Sequence, residues 1–96
     1  MTHEHDYEWD AAKARQNITR HGVSFEEASS VFDDPLLVTY PDTIHSIQEV
    51  RYISVGYSKH GKLLLVVHTD RENKVRIVSS RKATRQERKA YEEDKR

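Results

Sequence analysis

The sequence contains no cysteine among its 96 residues, and it has only two prolines and three glycines. Without cysteine the chain forms no disulfide and no thiolate metal site or nucleophile, which is consistent with a reducing cytoplasm. The longest apolar run, Leu63–Val67, is far shorter than the roughly 20 residues of a membrane-spanning helix. The acidic N-terminus also lacks the features of a signal peptide. We therefore expect a folded cytoplasmic domain without a membrane span.

Charged residues make up 33% of the chain, and their distribution is uneven although the formal net charge is zero. Residues 1–50 carry three Lys/Arg and ten Asp/Glu, a net charge of −7, whereas residues 51–96 carry thirteen and six, a net charge of +7. The densest positive segment is Arg81–Lys89, which has five cations and the single carboxylate of Glu87. Such a domain can present a cationic face to a polyanion, and nucleic acid is the first polyanion to consider.

Capping signals and apolar spacing predict one α+β domain over residues 7–96, preceded by a flexible tail at residues 1–6. Asp10 is a favourable N-cap and Gly22 a favourable C-terminal glycine for a first helix. The sequence Ser24-Phe25-Glu26-Glu27 is a capping box that opens a second, short helix. The N-terminal third is therefore predicted to contain two helices.

The middle of the chain is predicted to form an antiparallel sheet of about four strands. These strands cover residues 36–40, 50–57, 63–69 and 74–80, with a short extra edge strand at 7–9. The run at 63–69 is apolar on both faces, so it is predicted to be central and covered on both sides. A capping box at Thr84–Glu87 opens one C-terminal helix, which places Arg81 and Lys82 directly before its first turn.

Several blocks, in the order YEWDAAKARQN, HGVSFEEA, FDDP and RKATRQERKAYE, resemble the BrnT family of toxins of type II toxin–antitoxin systems. The resemblance extends over residues 7–93. It implies a RelE-like fold and an RNA-cleaving toxin that is neutralised by a BrnA-type antitoxin. It further implies a heterotetramer of two toxins and two antitoxins, in which operator DNA is bound only through the antitoxin. No cofactor is expected.

Cleavage of RNA without a metal uses the ribose 2′-hydroxyl as the nucleophile. The site needs a base for its proton, cations for the charge that develops on phosphorus, and an acid for the leaving oxygen. The predicted catalytic residues are Arg76, Arg81, Arg85, Tyr91 and His21. The predicted RNA-binding residues are Arg51, Lys82, Arg88 and Lys89. No set of metal ligands is predicted.

Each of these assignments has a structural alternative. The cation cluster can equally be a solvated basic face or a surface that binds an acidic segment of the antitoxin. Arg76 can form an ion pair with a carboxylate such as Glu49 or Asp70. Tyr91 can pack the last helix onto the sheet. With these alternatives, the chain would be a non-catalytic nucleic-acid-binding or antitoxin-binding domain.

For three residues, among them His21 of the predicted catalytic set, the structural role is the stronger expectation. Glu87 is the third residue of its capping box, so we expect it to bind the Thr84 N–H rather than act as a base. His21, in the last turn of the first helix, interacts favourably with the helix dipole, although it is also a possible acid or base. Trp9 is expected to pack in the core beside the first helix, with base stacking or contact with the antitoxin as the alternative.

Overall fold

A computed structural model describes residues 6–93. Within this range the chain forms β1 (Asp6–Glu8), α1 (Ala11–His21), α2 (Phe25–Ser29), β2 (Val38–Pro41), β3 (Tyr52–Tyr57), β4 (Leu63–Arg71), β5 (Lys74–Lys82) and α3 (Arg85–Glu93). A short 3₁₀ helix, Ser30–Asp33, follows α2. The predicted α+β class is thus confirmed. Of the predicted tail, residues 1–5 lie outside the described residues, and Asp6 begins β1.

The helix boundaries follow the capping residues that the sequence indicated. The Asp10 carboxylate accepts a hydrogen bond of 3.0 Å from the backbone N–H of Lys13 and so begins α1. Gly22 ends the helix with a φ of 70°, a left-handed conformation that favours glycine. The Ser24 hydroxyl accepts the Glu27 N–H at 3.0 Å and begins α2. No helix of the described chain is both long and apolar enough to cross a membrane.

The sheet has the strand order β1-β5-β4-β3-β2, with β4 in the predicted central position. All neighbouring strands are antiparallel except β1, which runs parallel to β5 with Glu8 opposite Arg76. The predicted N-terminal edge strand is therefore present. Its pairing makes the sheet mixed, whereas the sequence predicted an antiparallel one.

The prediction for the end of β5 was wrong by two residues. β4 is long enough to pair Leu65 with Arg81 and Leu64 with Lys82, so the strand continues to Lys82. Because successive residues of a strand point to opposite faces, Arg81 and Lys82 cannot form one patch at the start of α3.

The two faces of the sheet have separate apolar cores. Helices α1 and α2 cover one face through a cluster formed by Val23, Phe25, Ala28, Val31, Leu64, Val66 and Ile77. Trp9 packs against this cluster, with its ring centroid 5.9 Å from that of Phe25, in agreement with its predicted core role. On the opposite face, Tyr91 of α3 packs on Val55, Leu63 and Leu65. Since α3 is short, part of that face stays open.

A buried asparagine joins α1 to β5. β1 pairs with β5 only at residues 74–76, and farther along the strand the side chain of Asn17 takes the place of a strand partner. Its amide nitrogen donates to the Ser80 carbonyl at 2.8 Å, and its oxygen accepts the Ser80 N–H at 3.1 Å. The same nitrogen donates to the Val23 carbonyl at 2.9 Å. Asn17 thereby fixes the C-terminal half of α1, including His21, beside β5.

Candidate functional site

A cleft of about 440 Å³ lies on the open part of the sheet face that carries α3. We call it the sheet-face cleft. Its floor is apolar and is formed by Ile53, Leu65 and Val67, which occupy matching positions on β3 and β4. The polar and charged residues that line it are His21, Tyr40, Asp42, His45, Arg51, Ser79, Ser80, Arg81 and Glu87. The cleft therefore combines guanidinium, imidazole and carboxylate groups above a hydrophobic base.

Arg81 reaches the cleft from β5 and is bound by Glu87 of α3. Its two terminal nitrogens donate to the two carboxylate oxygens at 2.8 and 2.9 Å. Glu87 also accepts the Thr84 N–H at 2.8 Å, while the Thr84 hydroxyl accepts the Glu87 N–H at 3.1 Å, which completes the predicted capping box. The Arg81 hydrogen bonds hold the pKa of Glu87 below its ordinary value, so Glu87 is ionised and already occupied.

The loop between β2 and β3 supplies a second guanidinium and an imidazole. Arg51 lies directly before β3, and its carbonyl accepts the Asp42 N–H at 2.8 Å, which closes the loop at its base. Within the loop, an oxygen of the Asp42 carboxylate lies 2.9 Å from Nδ1 of His45. The side chain of Asp42 is only 10% exposed, whereas that of His45 is 66% exposed. The loop thus presents Arg51 and His45 to the cleft.

His21 and Tyr40 complete the walls of the cleft. His21 ends α1 and lines the cleft on the β5 side of the floor, whereas the β2–β3 loop lies on the other side of β4. Tyr40 lies on β2 opposite Ile53. Desolvation by burial, followed by the nearby charge of Glu87, raises the pKa of Tyr40, so its phenol stays neutral and can donate a hydrogen bond.

The cleft brings together three of the nine residues that the sequence predicted for the site: Arg51, Arg81 and His21. Arg76 instead forms an ion pair with Glu8 of β1 at 3.3 Å, not with Glu49 or Asp70. Tyr91 is 3% exposed, and its hydroxyl donates to Asp34 at 2.6 Å. Desolvation, and then the bond to Asp34, raise the pKa of Tyr91. These contacts favour the structural alternatives for both residues.

Four predicted cations lie elsewhere on the surface. Lys82 pairs with Leu64, whose side chain belongs to the core beneath α1 and α2, so Lys82 lies on the other face of the sheet from Arg81. Arg85, Arg88 and Lys89 are exposed on α3. The Arg88 guanidinium donates to the Tyr57 hydroxyl at 3.0 Å. None of these four is among the described residues that line the cleft.

Sequence reasoning missed Tyr40, Asp42 and His45, which the structure places in the cleft. These residues lie at the end of one predicted strand and in the segment before the next, where no site residue was predicted. A local signal was nevertheless present, because an aspartate followed three residues later by a histidine suits a turn in which the carboxylate binds that residue's backbone and ring. Both contacts occur here, at 3.3 Å to the backbone N–H and 2.9 Å to the ring.

Comparison with known proteins identifies a family and a related fold. The family model described as "Ribonuclease toxin, BrnT, of type II toxin-antitoxin system" matches residues 9–87. Among solved structures, the chain is similar to the 1.1 Å crystal structure of the Brucella abortus ribonuclease toxin BrnT, with a TM-score of 0.67 and 18% identity. The match covers 85% of this chain and 100% of that one. At this identity the likeness establishes a shared fold. No curated protein matches the chain.

Proposed function

The chain belongs to the BrnT family of ribonuclease toxins of type II toxin–antitoxin systems, and we propose that it arrests growth by cleaving RNA in the sheet-face cleft without a metal ion. The observation that carries this proposal is the presence of Arg51, Arg81 and two histidines around one open apolar floor. Guanidinium groups bind phosphate oxygens, and histidines transfer protons near neutral pH. The cleft thus contains each type of group that the reaction needs.

Arg81 is the proposed anchor for the phosphate at the cleavage position. Both of its terminal nitrogens donate to Glu87 in the structure, so in the proposed complex the phosphate replaces Glu87 on this paired N–H geometry, which matches two phosphate oxygens. With a side chain that is 39% exposed, Arg81 is accessible to an incoming anion. Arg51 approaches from the other side of the floor, and together the two cations stabilise the charge that builds up on the non-bridging oxygens.

The other predicted site residues do not line the cleft, and their proposed roles differ from one another. We propose that Arg85, Arg88 and Lys89 bind the RNA backbone beyond the cleft, since they are exposed along α3. For Arg76, Arg85 and Tyr91 a catalytic role stays a prediction, as does RNA binding by Lys82. The contacts described above give Arg76 and Tyr91 a structural role that is sufficient to explain them.

The proposed partner is a BrnA-type antitoxin, assembled as two toxins and two antitoxins in the cytoplasm, with operator DNA bound through the antitoxin. Two surfaces next to the cleft support a protein partner there. The β2–β3 loop exposes Ile44 by 80%, Ile47 by 88% and Val50 by 54%. The exposed cations of α3 suit an acidic segment. An antitoxin on these surfaces would cover the cleft.

The proposal is tested with purified protein and a structured RNA in buffer that contains EDTA. We expect cleavage to persist in EDTA and to be lost in Arg81→Ala, because that change removes the phosphate anchor. Arg15→Ala serves as the matched control, since Arg15 is exposed on α1 and lies outside the cleft. The same variants are scored for growth arrest in cells.

The outcomes separate the alternatives. Salt-sensitive RNA binding without any cuts would indicate a non-catalytic nucleic-acid-binding domain. The absence of RNA affinity would leave antitoxin binding as the function. Comparison of Arg81→Ala with Arg85→Ala tests the location of the site. If only Arg85→Ala abolishes cleavage, the reaction occurs at the start of α3 rather than in the cleft.

A further inference from the structure

A network of hydrogen bonds fixes the β2–β3 loop against the cleft. The Ser46 hydroxyl donates to the Asp42 carbonyl at 2.6 Å and accepts the Arg51 N–H at 2.9 Å. The Asp42 N–H in turn donates to the Arg51 carbonyl at 2.8 Å. These bonds join both ends of the loop, so the residues between them have a defined position. The imidazole of His45 is consequently presented by a closed loop rather than by a free one.

The same loop fixes the orientation of the His45 ring. One Asp42 oxygen accepts the backbone N–H of His45 at 3.3 Å, and the other oxygen lies 2.9 Å from Nδ1 of the ring. Burial raises the pKa of Asp42, but the hydrogen bonds from the ring and backbone of His45 lower it by more, so the carboxylate is ionised. An ionised carboxylate only accepts hydrogen bonds. In the neutral imidazole, Nδ1 therefore carries the proton and Nε2 has the lone pair.

We propose that Nε2 of His45 is the general base of the reaction and that Asp42 is its positioning residue. This inference rests on the proposed ribonuclease function and names the base within that site. Glu87 is the other carboxylate that lines the cleft, but Arg81 and the Thr84 N–H already occupy it. His45 is largely exposed and so is accessible to a ribose hydroxyl.

The second histidine of the cleft takes the complementary role. His21 lies on the β5 side of the floor and His45 on the β2–β3 side, and the proposal places the phosphate over the floor between them, on Arg81 and Arg51. In-line displacement at phosphorus needs the base and the acid on opposite sides, near the attacking and the leaving oxygen. His21 is thus assigned as the acid that protonates the leaving oxygen.

The step balances without an added reactant. Nε2 of His45 accepts the proton of the 2′-hydroxyl while the 2′-oxygen forms a bond to phosphorus. The bond between phosphorus and the 5′-oxygen breaks, and that oxygen receives a proton from His21. The products are a 2′,3′-cyclic phosphate and a 5′-hydroxyl end, with no change of oxidation state. Both ends are identifiable on the cleaved RNA.

The two histidines are distinguished with a pair of RNA substrates. One is a normal RNA, and the other has sulfur in place of the 5′-bridging oxygen at the cleavage position. We expect His45→Ala to lower kcat by roughly 100-fold or more on both substrates, because the base is needed whatever the leaving group. His21→Ala should show a comparable loss on the normal RNA and near wild-type kcat on the sulfur substrate, since a thiolate leaves without an acid.

The role of Asp42 is tested with Asp42→Asn, which keeps the size of the side chain. The side-chain oxygen of an asparagine can still accept the backbone N–H of His45. Its NH₂ group, however, donates to Nδ1 and so moves the ring proton to Nε2. We expect kcat to fall as far as in His45→Ala, with KM and the urea midpoint close to those of wild type. The double variant Asp42→Asn/His45→Ala should lose no more activity than either single variant.

Different failures lead to different conclusions. If Arg81→Ala is inactive while His45→Ala cleaves at the wild-type rate, the cleft is the site and the assignment of the base is overturned. If the loss of kcat in His45→Ala disappears on the sulfur substrate, His45 is the acid, and its assignment as the base is also overturned. If each of the single variants Arg81→Ala, Arg51→Ala and His45→Ala retains full activity, the proposed site is refuted. Wild-type activity in Asp42→Asn beside an inactive His45→Ala would overturn the role of Asp42.

Discussion

His68 should make the stability of this protein depend strongly on pH. The ring is buried at 4% exposure on β4, with its centroid 4.9 Å from that of Phe32 and 5.8 Å from that of Tyr52. Nε2 lies 2.7 Å from the Ser54 hydroxyl, while Nδ1 is a buried side-chain nitrogen without a hydrogen-bond partner among the described residues. Protonation would place a charge where nothing accepts its new N–H. Desolvation by burial accordingly lowers the pKa of His68 to about 4.

The direction and size of the effect follow from this shift. Between the ordinary pKa of 6.5 and the folded value of about 4, the unfolded chain binds the proton and the folded chain does not. The free energy of unfolding therefore decreases as the pH falls through this window. One such group accounts for a loss of about 2 kcal/mol between pH 7 and pH 5, and about 3 kcal/mol on reaching pH 4.

The assay is urea unfolding at pH 7 and at pH 5, compared between wild type and His68→Gln. Glutamine can keep a hydrogen bond to Ser54 but does not titrate, so the variant should lose about 2 kcal/mol less than wild type over this interval. Other histidines and carboxylates titrate in both proteins, and their contribution cancels in the difference. Equal losses in the two proteins would refute the reasoning, because they would show that His68 does not contribute to the pH dependence of stability.

Three further predictions concern stability and the site. Asn17→Ala should lower the free energy of unfolding by about 2–4 kcal/mol in urea titrations, because it leaves the N–H and carbonyl of Ser80 buried without partners. The control Gln16→Ala should change the free energy of unfolding by less than about 0.5 kcal/mol. Gly56→Ala should lose about 1–3 kcal/mol, since a Cβ there would lie 2.9 Å from Cδ1 of Leu37 and 3.3 Å from the Val31 carbonyl; an unchanged urea midpoint would contradict this packing. Tyr91→Phe should cost about 1 kcal/mol and retain RNA cleavage, because its hydroxyl binds Asp34; loss of cleavage in a folded variant would favour the catalytic role that the sequence suggested.

Elements set by local sequence were predictable. Asp10, Gly22, Ser24 and the Thr84–Glu87 box act within a few residues of themselves, and the helices begin and end where these caps indicate. The apolar run of β4 likewise revealed its central position without knowledge of its neighbours. Such features depend on backbone geometry and burial over one turn or one strand, which a single sequence records.

Features that depend on distant pairing were not predictable in the same way. The parallel contact of β1 with β5 joins residues 68 positions apart, and no local pattern specifies its direction. The error at Arg81 and Lys82 had a different cause, because a dense run of cations was read as one patch although strand alternation separates the two side chains. The cleft itself joins α1, the β2–β3 loop, β5 and α3, so only the folded chain reveals that His45 belongs with Arg81.

The side chain of Asn17 has a consequence for the behaviour of the protein in crowded surroundings. A strand with free backbone groups invites addition of a strand from another molecule and can start aggregation. Here the side-chain amide of Asn17 binds the backbone N–H and carbonyl of Ser80. In addition, an irregularity in the β4–β5 pairing near Val67 and His68 interrupts the regular spacing that an added strand would need. At the other margin, β2 is short and ends at Pro41, which has no N–H to offer. Asn17 and Pro41 thereby reduce the number of backbone groups that β5 and β2 offer to a strand of another copy.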